Sequence, residues 1–189
     1  MVNEMSTQIL NILKDRKATR AFSSAKLPEE MINQLMDAAQ LSASCFNNQP
    51  WRFLFLTEES ALEKGRMALS KGNGWAKEAL LLVVGFTKPD LDCQLPDGRN
   101  YFQFDLGMAV QNILLQATEL NLVARPMAGF SQDVIRQEFD IPKEFEIMVM
   151  VAIGFEGNIN EMDEKLQAKS KEPRKRNPLP ANFFINNYE

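Results

Sequence analysis

The sequence predicts one α+β domain spanning residues 1–189. Three observations lead to this prediction. The length of 189 residues fits a single domain of common size. Several segments carry apolar residues at helical spacing, and short apolar runs typical of buried strands lie between them. The chain shows no internal repeat and no low-complexity block that would divide it.

Apolar residues at helical spacing predict most of the helices. The predicted helices are 4–14, 28–41, 60–70 and 102–122, with a further helix that Ser131 caps and that ends at Phe139. Pro28 and the two glutamates after it mark a helix start, because proline lacks an amide hydrogen and acids suit the positive end of the helix dipole. The segment 102–122 is apolar on more than one face, so we expect it to be buried on most sides, partly by a second subunit.

Short apolar runs predict the strands. They are 52–57, 80–86 and 147–154. All are far shorter than the ~20 residues that a membrane helix needs, and no signal-peptide core follows the polar first residues. We therefore expect no membrane partner and a cytoplasmic location. The charged segment 157–177 is followed by an apolar end with Phe183 and Phe184, which indicates a tail that docks on another surface.

Composition excludes several classes of function. The chain has no histidine, which rules out Ser-His-Asp, Cys-His and histidine-ligated metal chemistry. A net charge of −4 argues against a nucleic-acid partner. Cys45 and Cys93 are too few for a zinc cage and do not form the pattern of a disulfide framework. We therefore expect no metal and a reducing compartment.

Four clusters could carry chemistry, and the first two lie in the N-terminal third. Residues 16–20 contain Arg16 and Arg20, whose guanidinium groups could converge on a phosphate; a solvated helix end is the alternative. Residues 42–51 combine small residues with the amides of Asn47 and Gln49, which could meet a flat ligand. An ordinary polar connection is the alternative there.

The other two clusters lie in the C-terminal half. In residues 125–130, Gly129 would permit a backbone conformation that points N–H groups at a ligand, and a simple turn is the alternative. Residues 174–179 form a short basic run, for which the alternative is a solvated tail. Taken singly, both of these clusters favour the simpler explanation.

Taken together and in order, the four clusters resemble the FMN-dependent nitroreductase family. The family opens with Arg-Arg-Ser-x-Arg-x-Phe, which residues 16–22 match except at Ala18. Its Pro-Ser-x-x-Asn-x-Gln-Pro-Trp motif corresponds to residues 43–51, with Ala43 in place of proline. Further matches are Gly-Asn-x-Trp at 72–75, Asp-Leu-Gly-x-Ala at 105–109, Pro-x-x-Gly-Phe at 126–130 and Arg-x-Arg-x-Pro-Leu at 174–179.

The resemblance implies a three-layer α+β fold, in which a mixed central sheet is flanked by helices on both faces. It also implies an obligate homodimer with exchanged C-terminal segments and FMN at the subunit interface. NADH or NADPH would reduce the flavin at N5, and a small-molecule acceptor such as a nitroaromatic or a quinone would then be reduced in a ping-pong reaction. No catalytic side chain is expected, because the cofactor carries the chemistry.

The same resemblance implies roles for individual residues around the flavin. Arg16, Arg174 and Arg176 would hold the phosphate. Arg20 and Asn73 would lie at the pyrimidine edge, where a cation stabilises the negative charge of the reduced ring.

A second group of residues would approach the flavin from other directions. Ser44, Cys45 and Asn47 would reach it from the other subunit, with Cys45 lining the cofactor and not acting as a nucleophile. The backbone of Ala128 and Gly129 would approach N5. The complete expected cofactor-binding set is Arg16, Lys17, Ala18, Arg20, Ser44, Cys45, Asn47, Gln49, Asn73, Pro126, Met127, Ala128, Gly129, Arg174 and Arg176.

Two alternative functions remain open at this point. One is a flavin carrier or sensor without turnover. The other is a specialised branch of the family that uses the same flavin site for dehalogenation or oxidation. Ala128 stands where several family members carry glutamate, which changes the charge of the pocket and leaves the acceptor undetermined by these residues.

Overall fold

The strands form where the sequence is most uniformly apolar. In residues 9–188, which the computed structural model describes, they are β1 (Arg52–Leu56), β2 (Leu81–Thr87), β3 (Leu122–Met127) and β4 (Glu146–Phe155). The sheet order is β1-β2-β4-β3, and every neighbouring pair is antiparallel. The central strands β2 and β4 are covered on both faces, which explains why their sequences are nearly continuous in apolar residues.

The helices cover both faces of this sheet. They are α1 (Asn11–Asp15), α2 (Glu29–Gln40), α3 (Glu59–Met67), α4 (Tyr101–Glu119), α5 (Gln132–Glu138) and α6 (Glu164–Lys171). The predicted helices at 28–41, 60–70, 102–122 and after Ser131 are confirmed. Of the predicted helix 4–14, residues 4–8 lie outside the described residues. Helix α6 was missed because its sequence is charged on most sides; Asp163 caps it by accepting a hydrogen bond from the Leu166 amide at 2.9 Å.

Alternating strand residues point into two separate apolar layers. Leu81 and Val83 of β2 join the layer that α2 and α4 cover. Leu82 and Val84 join the opposite layer, beneath α3 and α5. The period of two along a strand thus produces the three-layer arrangement. The α+β class and the helices on both faces are confirmed.

The antiparallel pairing differs from the mixed sheet that was expected. Strands β2 and β3 run in the same direction and are joined by α4, a connection that often produces parallel neighbours. Strand β4 lies between them, however, and pairs antiparallel with both. A parallel pair is therefore absent from the four described strands.

The predicted helix 102–122 is too long at its C-terminal end, because strand β3 begins at Leu122. Helix α4 ends at Glu119, and Asn121 adopts a left-handed conformation with φ of 57° before the strand begins. Pro126 is tolerated within β3 because this strand lies at the edge of the sheet, where a missing amide hydrogen leaves no central ladder bond unmade.

The two ends of the described chain stay on the surface. Residues 171–188 are exposed throughout, including Phe183 at 67% and Phe184 at 46% exposure. Docking of this tail on another surface stays a prediction. Across residues 9–188, no helix combines the length and the apolar character needed to cross a membrane.

Candidate functional site

Arginines from the two ends of the chain meet beside α1. The Arg174 guanidinium donates hydrogen bonds to the backbone carbonyls of Leu13 at 3.4 Å and Lys14 at 2.9 Å, and a third to that of Arg16. Burial lowers the pKa of Arg16, and the nearby positive charges of Arg174 and Arg176 lower it further. The structure therefore brings together the three residues expected at a phosphate.

Within residues 9–188, this arginine cluster (Arg16, Arg174 and Arg176) has no acidic side chain as an ion-pair partner. None of the ion pairs found among residues 9–188 includes these three side chains. Each guanidinium carries five N–H donors, and such groups match phosphate oxygens in charge and in geometry. Lys17, in contrast, forms an ion pair with Glu156 at 2.9 Å and is occupied within the chain.

Asn73 and Gly129 meet at a second part of the site. Asn73 lies in a 3₁₀ segment, Lys71–Glu78, and its Nδ2 donates to the Gly129 carbonyl at 2.9 Å. A Cβ atom at position 129 would lie 2.8 Å from both Asn73 Nδ2 and Ser70 Oγ. Glycine is needed here because Asn73 and Ser70 approach its Cα closely. The φ of Gly129 is not positive, so the residue is not required for a left-handed backbone conformation.

The residues before Gly129 differ in what they can offer a ligand. Pro126 and Ala128 are exposed. Met127 is 5% exposed, and its side chain lies in the apolar layer beneath α3 and α5. Because the Met127 side chain packs in the core, only the backbone of this residue could contact a cofactor.

Arg20 lies beside Arg125, a residue missing from the expected site. Arg125 stands on β3, where it donates to the Ala18 carbonyl at 3.0 Å and lies 5.3 Å from the centroid of the Trp75 ring. Burial lowers the pKa of Arg125, and the Arg20 charge lowers it further. Arg20 and Trp75 line a cavity of about 450 Å³. The available signal for Arg125 was its place at the start of the cluster 125–130.

The segment 44–49 forms a separate, tightly turned structure. Asn47 and Gln49 both have positive φ, of 59° and 51°. Ser44 Oγ accepts from the Gln49 amide at 3.1 Å, and Gln49 Nε2 donates to the Asn47 carbonyl at 2.8 Å. No hydrogen bond within the described part of the chain links this segment to Asn73 or to the arginine cluster. Its expected contact with the flavin of another subunit stays a prediction.

A disulfide joins Cys45 to Cys93, contrary to the expectation of two free thiols. The two residues are 48 positions apart, and buried carboxylates hold both backbones. Asp105 Oδ2 accepts from the Cys45 amide at 2.7 Å, and Asp92 Oδ1 accepts from the Cys93 amide at 2.8 Å. Cysteine spacing alone could not predict this pairing, because it depends on where α4 places Asp105.

Asp105 is fully buried on α4. Burial raises the pKa of this carboxyl, and the neighbouring Asp92 carboxylate raises it further. The hydrogen bond from the Cys45 amide opposes both effects because it favours the charged form. Asp105 was expected only as part of a family motif, and the structure shows that it supports the turn that carries Cys45.

Known proteins resemble this chain in sequence. The sequence model of the nitroreductase family matches residues 13–78 and 64–155. A protein of Methanothermobacter thermautotrophicus, provisionally named NADH dehydrogenase/NAD(P)H nitroreductase, is 27% identical over an alignment of 152 residues that covers 78% of this chain and 76% of that protein. Iodotyrosine deiodinase of Haliscomenobacter hydrossis is 23% identical over 193 residues, covering 88% of this chain and 86% of the deiodinase.

A solved structure shows that this chain also resembles known proteins in its fold. It is described as an oxidoreductase containing FMN and superposes with a TM-score of 0.88 at 28% identity, covering 98% of this chain and 96% of its own. The family match spans well over half of the sequence, and the same order of motifs folds into the same architecture. This chain belongs to the nitroreductase family of oxidoreductases.

Proposed function

We propose that the protein is an FMN-dependent NAD(P)H oxidoreductase with a ping-pong mechanism. When bound, FMN would accept hydride from NADH or NADPH at N5 and pass the reducing equivalents to a small-molecule acceptor such as a nitroaromatic or a quinone. The observation that carries this proposal is the convergence of Arg16, Arg174 and Arg176 with no acidic partner among residues 9–188. Likeness to a structure described as an oxidoreductase containing FMN supports it.

The arginine cluster fits the phosphate of FMN in charge. Three guanidinium groups held near one another repel, and a dianion would relieve that repulsion. Each charge-assisted hydrogen bond contributes roughly 1.5–3 kcal/mol. In this proposal the cluster supplies most of the affinity for FMN over riboflavin, which lacks the phosphate.

The segment around Asn73 and Gly129 fits the flat ring system. One Nδ2 hydrogen of Asn73 is used by the Gly129 carbonyl, which fixes the amide and leaves its Oδ1 free to accept from a pyrimidine N–H. Arg20 would place a positive charge near the ring edge. Since hydride transfer needs no side-chain base, a chain without histidine can support it.

The proposed assembly is a homodimer in which FMN lies at the subunit interface. Ser44, Cys45 and Asn47 would then contact the flavin bound by the other subunit. The support is the segment 44–49, in which Phe46, Asn47 and Asn48 are exposed, together with the exposed apolar residues at both ends of the described chain.

The flavin spectrum of the purified protein and its NAD(P)H oxidation test the proposal. We expect a bound flavin that is released as FMN, and steady-state turnover with a nitroaromatic or a quinone whose double-reciprocal plots are parallel. Absence of flavin, or release of FAD, would contradict FMN dependence. Bound FMN without turnover would instead support a flavin carrier or sensor.

Reductive dehalogenation is a second candidate, favoured by the likeness to iodotyrosine deiodinase. Iodide release from an iodinated phenol, measured against quinone reduction under the same conditions, distinguishes the two. A rate of iodide release well above the rate of quinone reduction would favour dehalogenation.

A further inference from the structure

Two buried carboxylates, Asp92 before α4 and Asp105 within it, have no compensating positive charge among residues 9–188. Asp92 is 7% exposed and Asp105 is fully buried, and the Asp92 carboxylate lies near enough to Asp105 to raise its pKa. Asp92 Oδ2 and Asp105 Oδ1 have no hydrogen-bond partner, and neither residue belongs to an ion pair within residues 9–188. Because buried charge is costly unless it is paired, a proton or a cation must occupy this place.

The sulfur atoms of Cys45 and Cys93 lie next to the same carboxylates. The two sulfurs and a carboxylate oxygen of Asp92 are all within 4.8 Å of one another, and the two Cα atoms are 6.1 Å apart. The disulfide explains why the two sulfur atoms lie close together. It carries no charge, however, and so cannot balance the charge of the aspartates. Once reduced, both cysteines could act as thiolate ligands.

We propose that the reduced protein binds one zinc-class divalent cation through Cys45 Sγ, Cys93 Sγ and a carboxylate oxygen of Asp92. Water would complete a tetrahedral site. Thiolate with carboxylate is a donor set suited to Zn²⁺, whereas Ca²⁺ and Mg²⁺ require oxygen ligands. Two cysteines alone are too few, as the sequence indicated; Asp92 supplies the third ligand that sequence spacing did not reveal.

Asp105 is a positioning residue in this site. It accepts from the Cys45 amide at 2.7 Å and so holds the backbone of one ligand, and it lies near the Asp92 carboxylate. Such supporting contacts typically change metal affinity by about 10–100-fold when they are removed.

Disulfide formation and metal binding exclude each other in this proposal. A dithiol reductant supplies two electrons and two protons, which break the S–S bond and leave two thiols while the reductant becomes a disulfide. The cation then replaces the two thiol protons, which pass to solvent. The site therefore exists only in the reduced protein.

Metal titration of the full-length protein tests the proposal. The protein is reduced without oxygen, stripped with a chelator and titrated with Zn²⁺ by calorimetry and with Co²⁺ by absorption spectroscopy. We expect one cation per chain and a sulfur-to-cobalt charge-transfer band. The oxidised protein should show neither. Zn²⁺ should also raise the Tm of the reduced wild type and leave that of the oxidised form unchanged.

Matched variants identify the ligands. Cys93→Ser and Asp92→Asn should weaken Zn²⁺ binding by at least about 10–100-fold, and Asp105→Asn by an amount in that range. Asp90→Asn removes an exposed carboxylate two positions from Asp92 and should leave the affinity unchanged.

Three results would overturn the proposal. The first is a reduced protein that takes up no stoichiometric Zn²⁺, which would mean that a shared proton joins the carboxyls. The second is equal Zn²⁺ binding by the oxidised and reduced forms. The third is wild-type affinity in both Cys93→Ser and Asp92→Asn.

Discussion

The arginine cluster is proposed to bind the phosphate of FMN, which riboflavin lacks. Replacing Arg16 or Arg176 should therefore change the affinity for FMN and not that for riboflavin. Arg16→Ala or Arg176→Ala should weaken FMN binding by about ten- to a hundredfold, because each charge-assisted bond contributes roughly 1.5–3 kcal/mol and ~1.4 kcal/mol is tenfold in affinity. Riboflavin affinity should barely change. Fluorescence titration of the apo-protein with both ligands measures this.

Lys175→Ala is the control for this arginine cluster. It removes a charge of the same sign from the residue between Arg174 and Arg176, and it should affect neither ligand. Unchanged FMN affinity in both arginine variants, or equal losses for FMN and riboflavin, would contradict a phosphate site.

Gly129 shows how little space the site leaves for an added methyl group. Gly129→Ala should displace Asn73 or Ser70, weaken FMN binding and lower the free energy of unfolding by about 1–3 kcal/mol, the usual range for overpacking. Gly74→Ala is the matched control for stability, since a Cβ atom there would meet no protein atom within 4 Å. Urea unfolding compares both variants, and FMN titration tests Gly129→Ala. An equal free energy of unfolding for the two variants would show that close approach at Gly129 is unimportant.

Asp105 should make stability depend on pH. Its raised folded-state pKa means that the folded protein holds the proton more tightly than the unfolded chain. Stability therefore falls as pH rises from the ordinary aspartate pKa of 3.8 through the folded-state pKa. Asp105→Asn keeps an acceptor for the Cys45 amide and adds a donor for Asp92 Oδ2. We expect this variant to be more stable than wild type at neutral pH.

Measurements at low pH provide the control for this comparison of Asp105→Asn with wild type. Urea unfolding of the oxidised, metal-free proteins should show that the stability difference between Asp105→Asn and wild type shrinks as pH falls to values below 3.8, because the carboxyl is then protonated in both states. A constant difference across this range would mean that titration of Asp105 does not affect stability.

At the scale of elements, the N-cap residue of α5, Ser131, anchors the end of the turn that carries Gly129. Ser131 Oγ accepts from the Val134 amide at 3.3 Å, and the Ser131 amide donates to the Ala68 carbonyl at 2.8 Å. Ser131→Ala should lower the free energy of unfolding by about 1 kcal/mol, as the loss of an N-cap usually does. Thermal or urea unfolding measures the change. Ser60→Ala, at an exposed position in α3, should be nearly neutral, and an equal loss there would argue against the cap.

Helix α4 illustrates what apolar pattern can and cannot predict. Its apolar residues on several faces suggested a subunit contact, but α2 and the sheet cover most of them, including Leu106 and Ile113. Phe104 remains 55% exposed. Helix existence was predictable from local spacing, whereas the partner that buries each face depends on tertiary packing.

For the whole molecule, the exposed apolar residues at both ends of the described chain predict a homodimer. They include Ile9 and Leu10 near α1, and Leu179, Phe183 and Ile185 in the tail. Patches of this kind usually mark an interface. Sedimentation at sub-micromolar protein should show a flavin-loaded dimer and no persistent folded monomer.

Variants of the tail test which surface forms the dimer. Phe183→Ser combined with Ile185→Ser should shift the protein towards monomer. Met67→Ser, which removes a side chain 60% exposed on α3, should not. A stable, flavin-loaded monomer of the wild type would contradict the prediction, and unchanged dimerisation of the tail variant would exclude the tail as the interface.

The sequence alone determined the features that depend on neighbouring residues. Helical spacing, apolar runs and the Ser131 cap identified most elements, and the ordered motifs indicated the family. Sheet order, the Cys45–Cys93 pairing and the meeting of Arg16 with Arg174 were decided by the tertiary structure. These contacts join residues far apart in the chain, and they arise only once β4 lies between β2 and β3 and both helical layers are in place. Local periodicity carries no information about such distances, which is why candidate residues could be named from the sequence and their arrangement could not.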